Sequence, residues 1–236
     1  MKIEILKSAK EALGRSFKGK NVVVIDVLRA TTVMVTALEN GAKYIYPFKE
    51  IEDARDKCKL NQNGLLAGER KGMKILGFDF GNSPLEFTKE KVEGKEIYMT
   101  TSNGTRAIEN SIDGDNLYIA CYLNISAVVN KLLLDRKDII ILCSGTDDKF
   151  SLDDSLCAGI ITQKISDKLK VEMDDFVLSL EKLARYSPGI TKVLEGSKHY
   201  DYLKKIGYKD DLEYCTKIDI CNVVPFYIEG KIKTSS

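Results

Sequence analysis

Apolar and polar positions alternate along the chain in two patterns, one typical of buried strands and one typical of helices. Short segments rich in apolar and β-branched residues predict strands at 21–26, 43–48, 64–69, 96–103, 116–124, 138–145 and 222–228. Between them, apolar residues recur every three or four positions, which predicts helices from Ala30 to just before Gly41 and at 50–60, 105–111, 125–136 and 151–169. From about residue 171 the pattern changes to three helical stretches, at 174–186, 190–206 and 210–217.

This alternation predicts an α/β fold with a mostly parallel sheet, helices on both faces and a helix-rich C-terminal portion. No segment rich in Gly, Ser or Pro divides the chain, and no internal repeat is visible. We therefore expect residues 1–236 to form a single α/β domain. In open parallel sheets, ligands bind beyond the carboxyl ends of the strands, so the functional residues are expected there.

Four segments place polar side chains directly after a predicted strand. They contain Asp26, Arg29, Thr31 and Thr32; Glu69 and Arg70; the stretch TTSNGTR at 100–106; and the stretch CSGTDDKFSLDD at 143–154, which ends in Asp153 and Asp154. If the strands are parallel, these four ends lie along one edge of the sheet. The sequence therefore predicts a site for a small anion together with a metal ion.

Several of these residues have the chemistry needed to bind an oxyanion. Helix N-termini offer free N–H groups, and Gly104 would let the backbone approach a phosphate closely while Thr105 caps the helix. Arginine pairs bidentately with phosphate and other oxyanions. The predicted substrate-binding residues are Arg29, Thr31, Arg70, Ser102, Asn103, Gly104, Thr105 and Arg106.

The carboxylates at the same strand ends supply hard oxygen ligands, which suit Mg²⁺ better than zinc. We expect Asp26, Glu69 and Asp154 to hold Mg²⁺, directly or through water. Asp26 and Asp153 are the predicted catalytic residues, with Asp153 orienting the attacking water. A structural interpretation stays open, because Asp153 and Asp154 follow Ser151 as acidic residues do in the first turn of a helix.

The overall composition excludes several classes of function. Lys and Arg total 36 against 35 Asp and Glu, so no basic surplus favours nucleic-acid binding. No apolar run approaches the ~20 residues that cross a bilayer, and the charged N-terminus does not resemble a signal peptide. We expect a cytoplasmic protein with no membrane partner, whose six cysteines are free thiols.

Motif searches narrow the chemistry further. The sequence contains neither a GxxxxGK[ST] loop nor a GxGxxG motif after a strand, and no Cys is followed by Arg six residues later. Asp26 lacks the second acid of a DxD motif. The single histidine, His199, lies in a polar helical stretch and is expected to be an exposed surface residue.

The stretches VIDVLRATT, AGERKGMKILGFDFGNSPLEF, TTSNGTRAI and SLDDSLCAGII together resemble the 2-phosphosulfolactate phosphatase family. The late stretch SKHYDYLKKIGYKDDLEYCTKIDICNVVP resembles its C-terminal pattern, so the resemblance runs from about Val24 to Pro225. It implies Mg²⁺-dependent hydrolysis of 2-phospho-3-sulfolactate to 3-sulfolactate and phosphate, in a cytoplasmic enzyme of a route to coenzyme M. This small organophosphate has three anionic groups, which three arginines, helix N-termini and a metal ion can balance.

Two alternatives stay open at this point. Asp26 could be a nucleophile that forms an aspartyl-phosphate, although the missing DxD partner counts against this route. The same pocket could belong to a non-catalytic sensor of small organophosphates, although a pure anion binder would gain from losing the carboxylates. Apolar residues in the C-terminal helices hint at a homo-oligomer.

Overall fold

The computed structural model describes residues 1–234, and these form a sheet covered by helices. The strands are β1 (Ile3–Leu6), β2 (Asn21–Ile25), β3 (Tyr44–Phe48), β4 (Gly64–Arg70), β5 (Met73–Lys74), β6 (Glu96–Thr100), β7 (Asn116–Ala120), β8 (Ile139–Cys143), β9 (Phe226–Ile228) and β10 (Lys231–Lys233). The helices are α1 (Ala30–Glu39), α2 (Ile51–Cys58), α3 (Lys89–Val92), α4 (Gly104–Glu109), α5 (Ile125–Asp135), α6 (Leu152–Ser166), α7 (Asp175–Arg185), α8 (Ile190–Leu194), α9 (Lys198–Lys205) and α10 (Lys209–Cys215).

The sheet contains two groups of parallel strands joined by an antiparallel hairpin. Its order is β1-β8-β2-β7-β9-β10-β3-β6-β4-β5. Strands β1, β8, β2 and β7 are parallel, and so are β3, β6 and β4. The hairpin β9–β10 pairs antiparallel with β7 on one side and with β3 on the other. The predicted α/β fold with a mostly parallel sheet is confirmed.

Helices cover both faces of the sheet because alternate strand residues point to opposite sides. Val22 and Val24 of β2 share a core with Ile97 of β6 and with α1 and α4. Val23 and Ile25 face the other side, where α5, α6 and α7 cover them. On the same side, the β6 strand packs against α2. Helix α1 is buried from Ala30 to Leu38, because it lies on the hydrophobic face shared by both strand groups.

The strand ends that supply the site meet in a way that the sequence does not predict. Three antiparallel pairings separate β7 from β3, so the strands of one parallel group run opposite to those of the other. Adjacent strands are rotated relative to each other by roughly 20–25°, and five such steps lead from β2 to β6. This rotation turns the reversed direction of β6 back toward that of β2, so the two strand directions end about 55–80° apart. The site thus lies where the carboxyl ends of two twisted strand groups converge, and not along one edge of a single parallel sheet.

Three further elements differ from the sequence prediction. Strand β1 was not predicted, because its charged neighbours hide a short edge strand that pairs with β8. The helix predicted over 190–206 is two helices, α8 and α9, separated at Gly196, whose φ of +83° is incompatible with a continuing helix. The last predicted strand begins only after Pro225, which has no N–H to donate to a ladder.

The six cysteines are free and buried, as the sequence predicts. Within residues 1–234, no helix has the length and apolar character needed to cross a membrane.

Candidate active site

Asp26 follows β2 directly, and the start of α1 fixes its position. The N–H of Asp26 donates to Thr31 Oγ1 at 3.0 Å, and the N–H of Thr31 donates to the Asp26 carbonyl at 2.9 Å. The N–H of Ala30 donates to Asp26 Oδ1 at 3.2 Å. Asp26 Oδ2 forms no hydrogen bond with residues 1–234. Thr31 is wholly buried in this turn and does not line the adjoining cavity.

Burial raises the pKa of the Asp26 carboxyl group to about 6. The N–H of Ala30 opposes this rise, and so does the nearby His199 ring. The charges of Asp153 and Glu69 add to it by repulsion. Asp26 therefore lies in an electrostatic environment that it shares with two other carboxylates and one imidazole, as acid–base groups in active sites often do.

Glu69, near the end of β4, connects two loops that border the same space. Its Oε2 accepts a hydrogen bond from Gly72 N at 2.7 Å, and its Oε1 accepts one from Ser102 N at 2.8 Å. The side chain is 7% exposed. Both loops are thereby held around the Glu69 carboxylate, which faces the cavity together with Asp26.

A cavity of about 600 Å³ joins these residues. It brings together five of the predicted site residues: Asp26, Arg29, Glu69, Ser102 and Asn103. The rest of its wall consists of Leu28, Lys71, Gly72, Asn82, Thr146, Asp147, Lys198, His199, Asp201, Tyr202, Leu203 and Lys205. Helix α9 supplies half of this second set, so the helix-rich C-terminal portion forms a wall of the site.

Gly104 and Thr105 lie behind the cavity wall and determine its shape. A Cβ atom on Gly104 would lie 2.7 Å from Ala30 Cβ and 2.9 Å from Asp26 Oδ2, so only glycine allows α4 to approach Asp26 this closely. Thr105 N donates to Thr101 Oγ1 at 3.2 Å, and Thr101 N donates to Thr105 Oγ1 at 3.3 Å. Thr105 therefore stabilises the turn and is not among the cavity residues.

Arg29 is almost fully buried and lines the cavity. Its Nη1 donates to Asp211 Oδ2 at 2.5 Å, and its Nη2 donates to the Gly72 carbonyl at 3.0 Å. The aromatic ring of Tyr208 lies 3.7 Å from the guanidinium carbon. No sequence motif connects Arg29 to Asp211, because the two residues are 182 positions apart.

Asp153 and Asp154 are buried beside the cavity and do not line it. Asp154 Oδ1 accepts from Val27 N at 2.9 Å, and Oδ2 accepts from Gly145 N at 3.0 Å, so this carboxylate joins the loops after β2 and β8. Burial, with repulsion from Asp153 and Asp26, raises the pKa of Asp154 well above its usual range. Asp153 Oδ1 accepts from the hydroxyl of Ser151. The catalytic role of Asp153 stays a prediction.

Arg70 and Arg106 do not line the cavity, although both follow strands with the expected pattern. Arg70 Nη2 donates to the Lys49 carbonyl and to Thr100 Oγ1, both at 3.0 Å. Arg106 forms an ion pair with Asp148. Of the three arginines expected around a substrate anion, only Arg29 lines the cavity.

His199 is not the exposed surface residue that the sequence predicts. It is partly buried on α9, lines the cavity, and its Nε2 lies 2.7 Å from the carbonyl oxygen of Leu28. A carbonyl oxygen only accepts, so Nε2 bears the hydrogen and Nδ1 has the lone pair in the neutral ring. The polar face of α9 lines the cavity at His199. A polar helix face that lines a cavity has the same local sequence pattern as one that faces solvent, so the sequence alone does not distinguish them.

Charges of both signs line the cavity. Asp26, Glu69, Asp147 and Asp201 are acidic, and Arg29, Lys71, Lys198 and Lys205 are basic. Within residues 1–234, no three His, Cys, Asp or Glu side chains are arranged so that they could hold a metal ion. The three carboxylates predicted to bind Mg²⁺ are thus not a ready-made ligand set, and Asp154 does not line the cavity that Asp26 and Glu69 line.

Comparison with known proteins gives a consistent result. A sequence profile described as 2-phosphosulpholactate phosphatase matches residues 7–230. The chain is 42% identical to a Clostridium perfringens (strain SM101 / Type A) protein named "Probable 2-phosphosulfolactate phosphatase", over 99% of this chain and 96% of that protein. Proteins of the same name from Clostridium novyi (strain NT) and Clostridium tetani (strain Massachusetts / E88) are also 42% identical, over 98% and 99% of this chain and 99% and 100% of theirs.

Proposed function

Because the chain belongs to the 2-phosphosulpholactate phosphatase family, we propose that it hydrolyses 2-phospho-3-sulfolactate, or a related small phosphorylated hydroxy acid, to the hydroxy acid and phosphate. The family and the names of the relatives indicate a phosphoric monoester hydrolase and not a non-catalytic binder. The observation that supports the substrate best is that one cavity is lined by both acidic and basic side chains, namely Asp26, Glu69, Arg29, Lys71 and His199.

The cavity has the size and the charges that a small trianion needs. Its volume of about 600 Å³ exceeds the space that a three-carbon phosphorylated acid occupies. Four cationic side chains line it: Arg29, Lys71, Lys198 and Lys205. Such cations can balance a phosphate, a carboxylate and a sulfonate in a site that excludes water in part.

The residues present fit a Mg²⁺ ion, which we propose as the cofactor. Mg²⁺ in phosphate-binding sites usually keeps several waters and binds through one or two carboxylates plus the substrate phosphate. Asp26 and Glu69 supply two carboxylates at the cavity wall, and Asp26 Oδ2 has no partner among residues 1–234. The ion would neutralise phosphate oxygens and lower the pKa of a bound water.

The remaining chemistry belongs to the chain's own side chains. Asp154 holds the Asp26 loop in place through Val27 N, and Glu69 holds the Ser102 loop, so the two strand groups present a fixed site to the phosphate. Arg29 binds an oxyanion of the substrate. His199 Nε2 donates to the Leu28 carbonyl, which leaves the Nδ1 lone pair to take a proton from solvent; in the resulting imidazolium, Nδ1–H can deliver that proton to the alkoxide that leaves the phosphorus.

Water attacks the phosphorus directly in this proposal, and the alternative is attack by Asp26. We favour direct attack because a second acid in a DxD arrangement, which would serve a covalent route, is missing. The configuration at phosphorus separates the two routes and can be followed with a substrate whose thiophosphate group is made chiral by oxygen isotopes. Inversion supports direct attack by water, whereas retention requires an aspartyl-phosphate, because each of two successive displacements at phosphorus inverts the configuration.

The main experiment measures phosphate release from metal-stripped protein. The protein is offered 2-phospho-3-sulfolactate beside common phosphomonoesters, with and without Mg²⁺. Turnover that needs Mg²⁺ and prefers the sulfonated acid is expected. Asp26→Asn should lower kcat by at least about a hundredfold, as loss of a metal-binding and charge-stabilising carboxylate commonly does. Asp53→Asn, an exposed change on α2, is the matched control. If only other esters are hydrolysed, 2-phospho-3-sulfolactate is not the substrate.

A further inference from the structure

A buried network behind the cavity contains residues that the proposed function does not use. Asp211 on α10 accepts from Arg29 Nη1 at 2.5 Å through Oδ2, and it accepts from Ser83 Oγ at 2.7 Å through Oδ1. Asp211 is only 4% exposed and does not line the cavity. Both of its oxygens are therefore occupied, one of them by Arg29, which lines the cavity.

The network fixes the plane of the Arg29 guanidinium. Besides Asp211, the Gly72 carbonyl accepts from Nη2 at 3.0 Å, and the Tyr208 ring lies against the guanidinium carbon at 3.7 Å. A guanidinium has five N–H donors, and these contacts occupy two of them. Because the group is held before a ligand arrives, it loses little conformational freedom when it binds an oxyanion.

Asn82 precedes Ser83 and completes the same wall. Its side chain lines the cavity and is 6% exposed, yet its Oδ1 has no hydrogen-bond partner among residues 1–234. A buried amide oxygen without a partner is costly, so a bound group is expected to satisfy it. When the amide rotates, either its NH₂ group can donate to an oxyanion or its oxygen can accept from the hydroxyl group of a product.

We propose that Arg29 and Asn82 form one substrate-binding subsite for an oxyanion group, and that Asp211 is the positioning residue that holds it through Arg29 and Ser83. This proposal rests on the proposed function, because the oxyanion belongs to the phosphorylated substrate or its product. No residue of α10 lines the cavity, and this helix packs against α9 and against the turn at Pro84–Glu86, which follows Ser83. The subsite connects this C-terminal helix with the loop after β5 through Asp211 and Ser83.

A double-mutant cycle tests the positioning role. Asp211→Asn should raise KM at least tenfold in the wild-type background and change it less than twofold in an Arg29→Ala background, because Asp211 acts through Arg29. Asp210→Asn, an exposed change on the same helix, is the control and should leave KM unchanged. Independent effects of Asp211 and Arg29 on KM would overturn the positioning role. Asp211→Glu should recover part of the loss.

Asn82 provides a second variant in case changes at Asp211 prevent folding. Asn82→Ala leaves the Arg29–Asp211 pair in place, so the urea midpoint should stay near that of the wild type. It should raise KM at least fivefold with kcat little changed. An unchanged KM in Asn82→Ala would remove Asn82 from the subsite.

Binding of inorganic phosphate separates this proposal from the proposed function. If the wild type turns over no phosphomonoester, the function fails, and calorimetry with inorganic phosphate then tests the subsite. At least tenfold weaker binding in Asp211→Asn and in Asn82→Ala supports the subsite. Equal binding in all variants, or no binding by the wild type, overturns it.

Discussion

At the scale of single residues, Asp26 combines a place in the candidate active site with a cost in stability. Burial raises the pKa of its carboxyl group from 3.8 to about 6. The folded state therefore holds the proton more tightly than the unfolded state, and ionisation of Asp26 destabilises the fold. This destabilisation develops as the pH rises from about 4 to about 6 and is complete above that window.

We therefore predict that Asp26→Asn stabilises the metal-free protein at pH 8 while it removes activity. Asparagine keeps an oxygen that can accept from Ala30 N, but it has no charge to desolvate. The expected gain in the free energy of unfolding is about 1–3 kcal/mol at pH 8 and near zero at pH 4. Urea unfolding in EDTA at both pH values measures it, with Asp53→Asn as control. An equal effect at both pH values would contradict the electrostatic explanation.

Gly104 gives a second prediction, because it sets the distance between α4 and Asp26. The Cβ atom of Gly104→Ala would lie 2.9 Å from Asp26 Oδ2 and 2.7 Å from Ala30 Cβ, so α4 must move. We expect a loss of about 1–3 kcal/mol in stability and at least a tenfold fall in kcat/KM.

The control for this variant separates lost stability from a displaced site. Gly14→Ala places a Cβ atom in open space but at a φ of +72°, which destabilises the fold without contact with the cavity. At a temperature where both variants are folded, the kcat/KM of Gly14→Ala should equal that of the wild type. Equal activity of Gly104→Ala would mean that α4 can shift without disturbing Asp26.

At the scale of elements, helix α9 is attached to the site by three side-chain hydrogen bonds within residues 1–234, of which one is the hydrogen bond between His199 and the Leu28 carbonyl. The hydroxyl of Tyr202 donates to the Lys71 carbonyl at 3.0 Å, and Lys198 pairs with Asp147 at 2.9 Å, although both charged side chains are largely exposed. An exposed ion pair contributes little, so the Tyr202 hydrogen bond is the more important attachment.

We predict that Tyr202→Phe raises KM about two- to fivefold with kcat little changed, because one partly exposed hydrogen bond stabilises by about 0.5–1 kcal/mol. The ring still packs on the turn at Gly72, so the variant should fold normally. Tyr186→Phe, which removes a hydroxyl from an exposed ring, is the control. Steady-state kinetics measure the effect, and a fall in kcat at constant KM would argue that α9 acts on the chemical step instead.

The elements near the site follow from local pattern, and the elements that complete it do not. The run at β2 and the periodic apolar residues of α1 predict Asp26 at a strand end, and similar reasoning finds Glu69, Ser102 and Asn103. Helix α9 has a polar face in every local measure, so the sequence offers no reason to place His199 in a cavity. The position of α9 depends on contacts of His199 with Leu28 and of Tyr202 with Gly72, two residues that are more than 100 positions away along the chain.

The local sequence pattern does not predict the direction of a side chain either. Arg29 follows β2 and Arg70 ends β4, but Arg29 pairs with Asp211 beside the cavity, whereas Arg70 donates to the Lys49 carbonyl and does not line it. Asp154 likewise follows the predicted helix start, and its oxygens are taken by Val27 N and Gly145 N. These partners come from distant segments, so the sequence predicts candidate residues and the tertiary fold selects among them.

At the scale of the whole molecule, the site depends on both strand groups at once. Asp26 comes from the group that contains β2, whereas Glu69 and Ser102 come from the group that contains β4 and β6. The only ladder that connects the two groups within residues 1–234 passes through the hairpin β9–β10. The last strands of the chain therefore join the halves that share the site.

We predict that a charge in this hairpin disrupts the protein far from any site residue. Ile232 of β10 is fully buried and pairs with Ile45 of β3 and Tyr227 of β9, so Ile232→Asp buries an unpaired carboxylate where the halves meet. The free energy of unfolding should fall by at least about 3 kcal/mol, and activity should fall with it. Ile228→Asp on β9 is the matched control, because that side chain is 40% exposed and the change should cost less than about 1 kcal/mol. Urea unfolding followed in parallel with phosphate release decides the matter. If Ile232→Asp keeps wild-type stability and turnover, the two strand groups hold the site together without the hairpin, through helix packing such as that of α4 against β2 and α1.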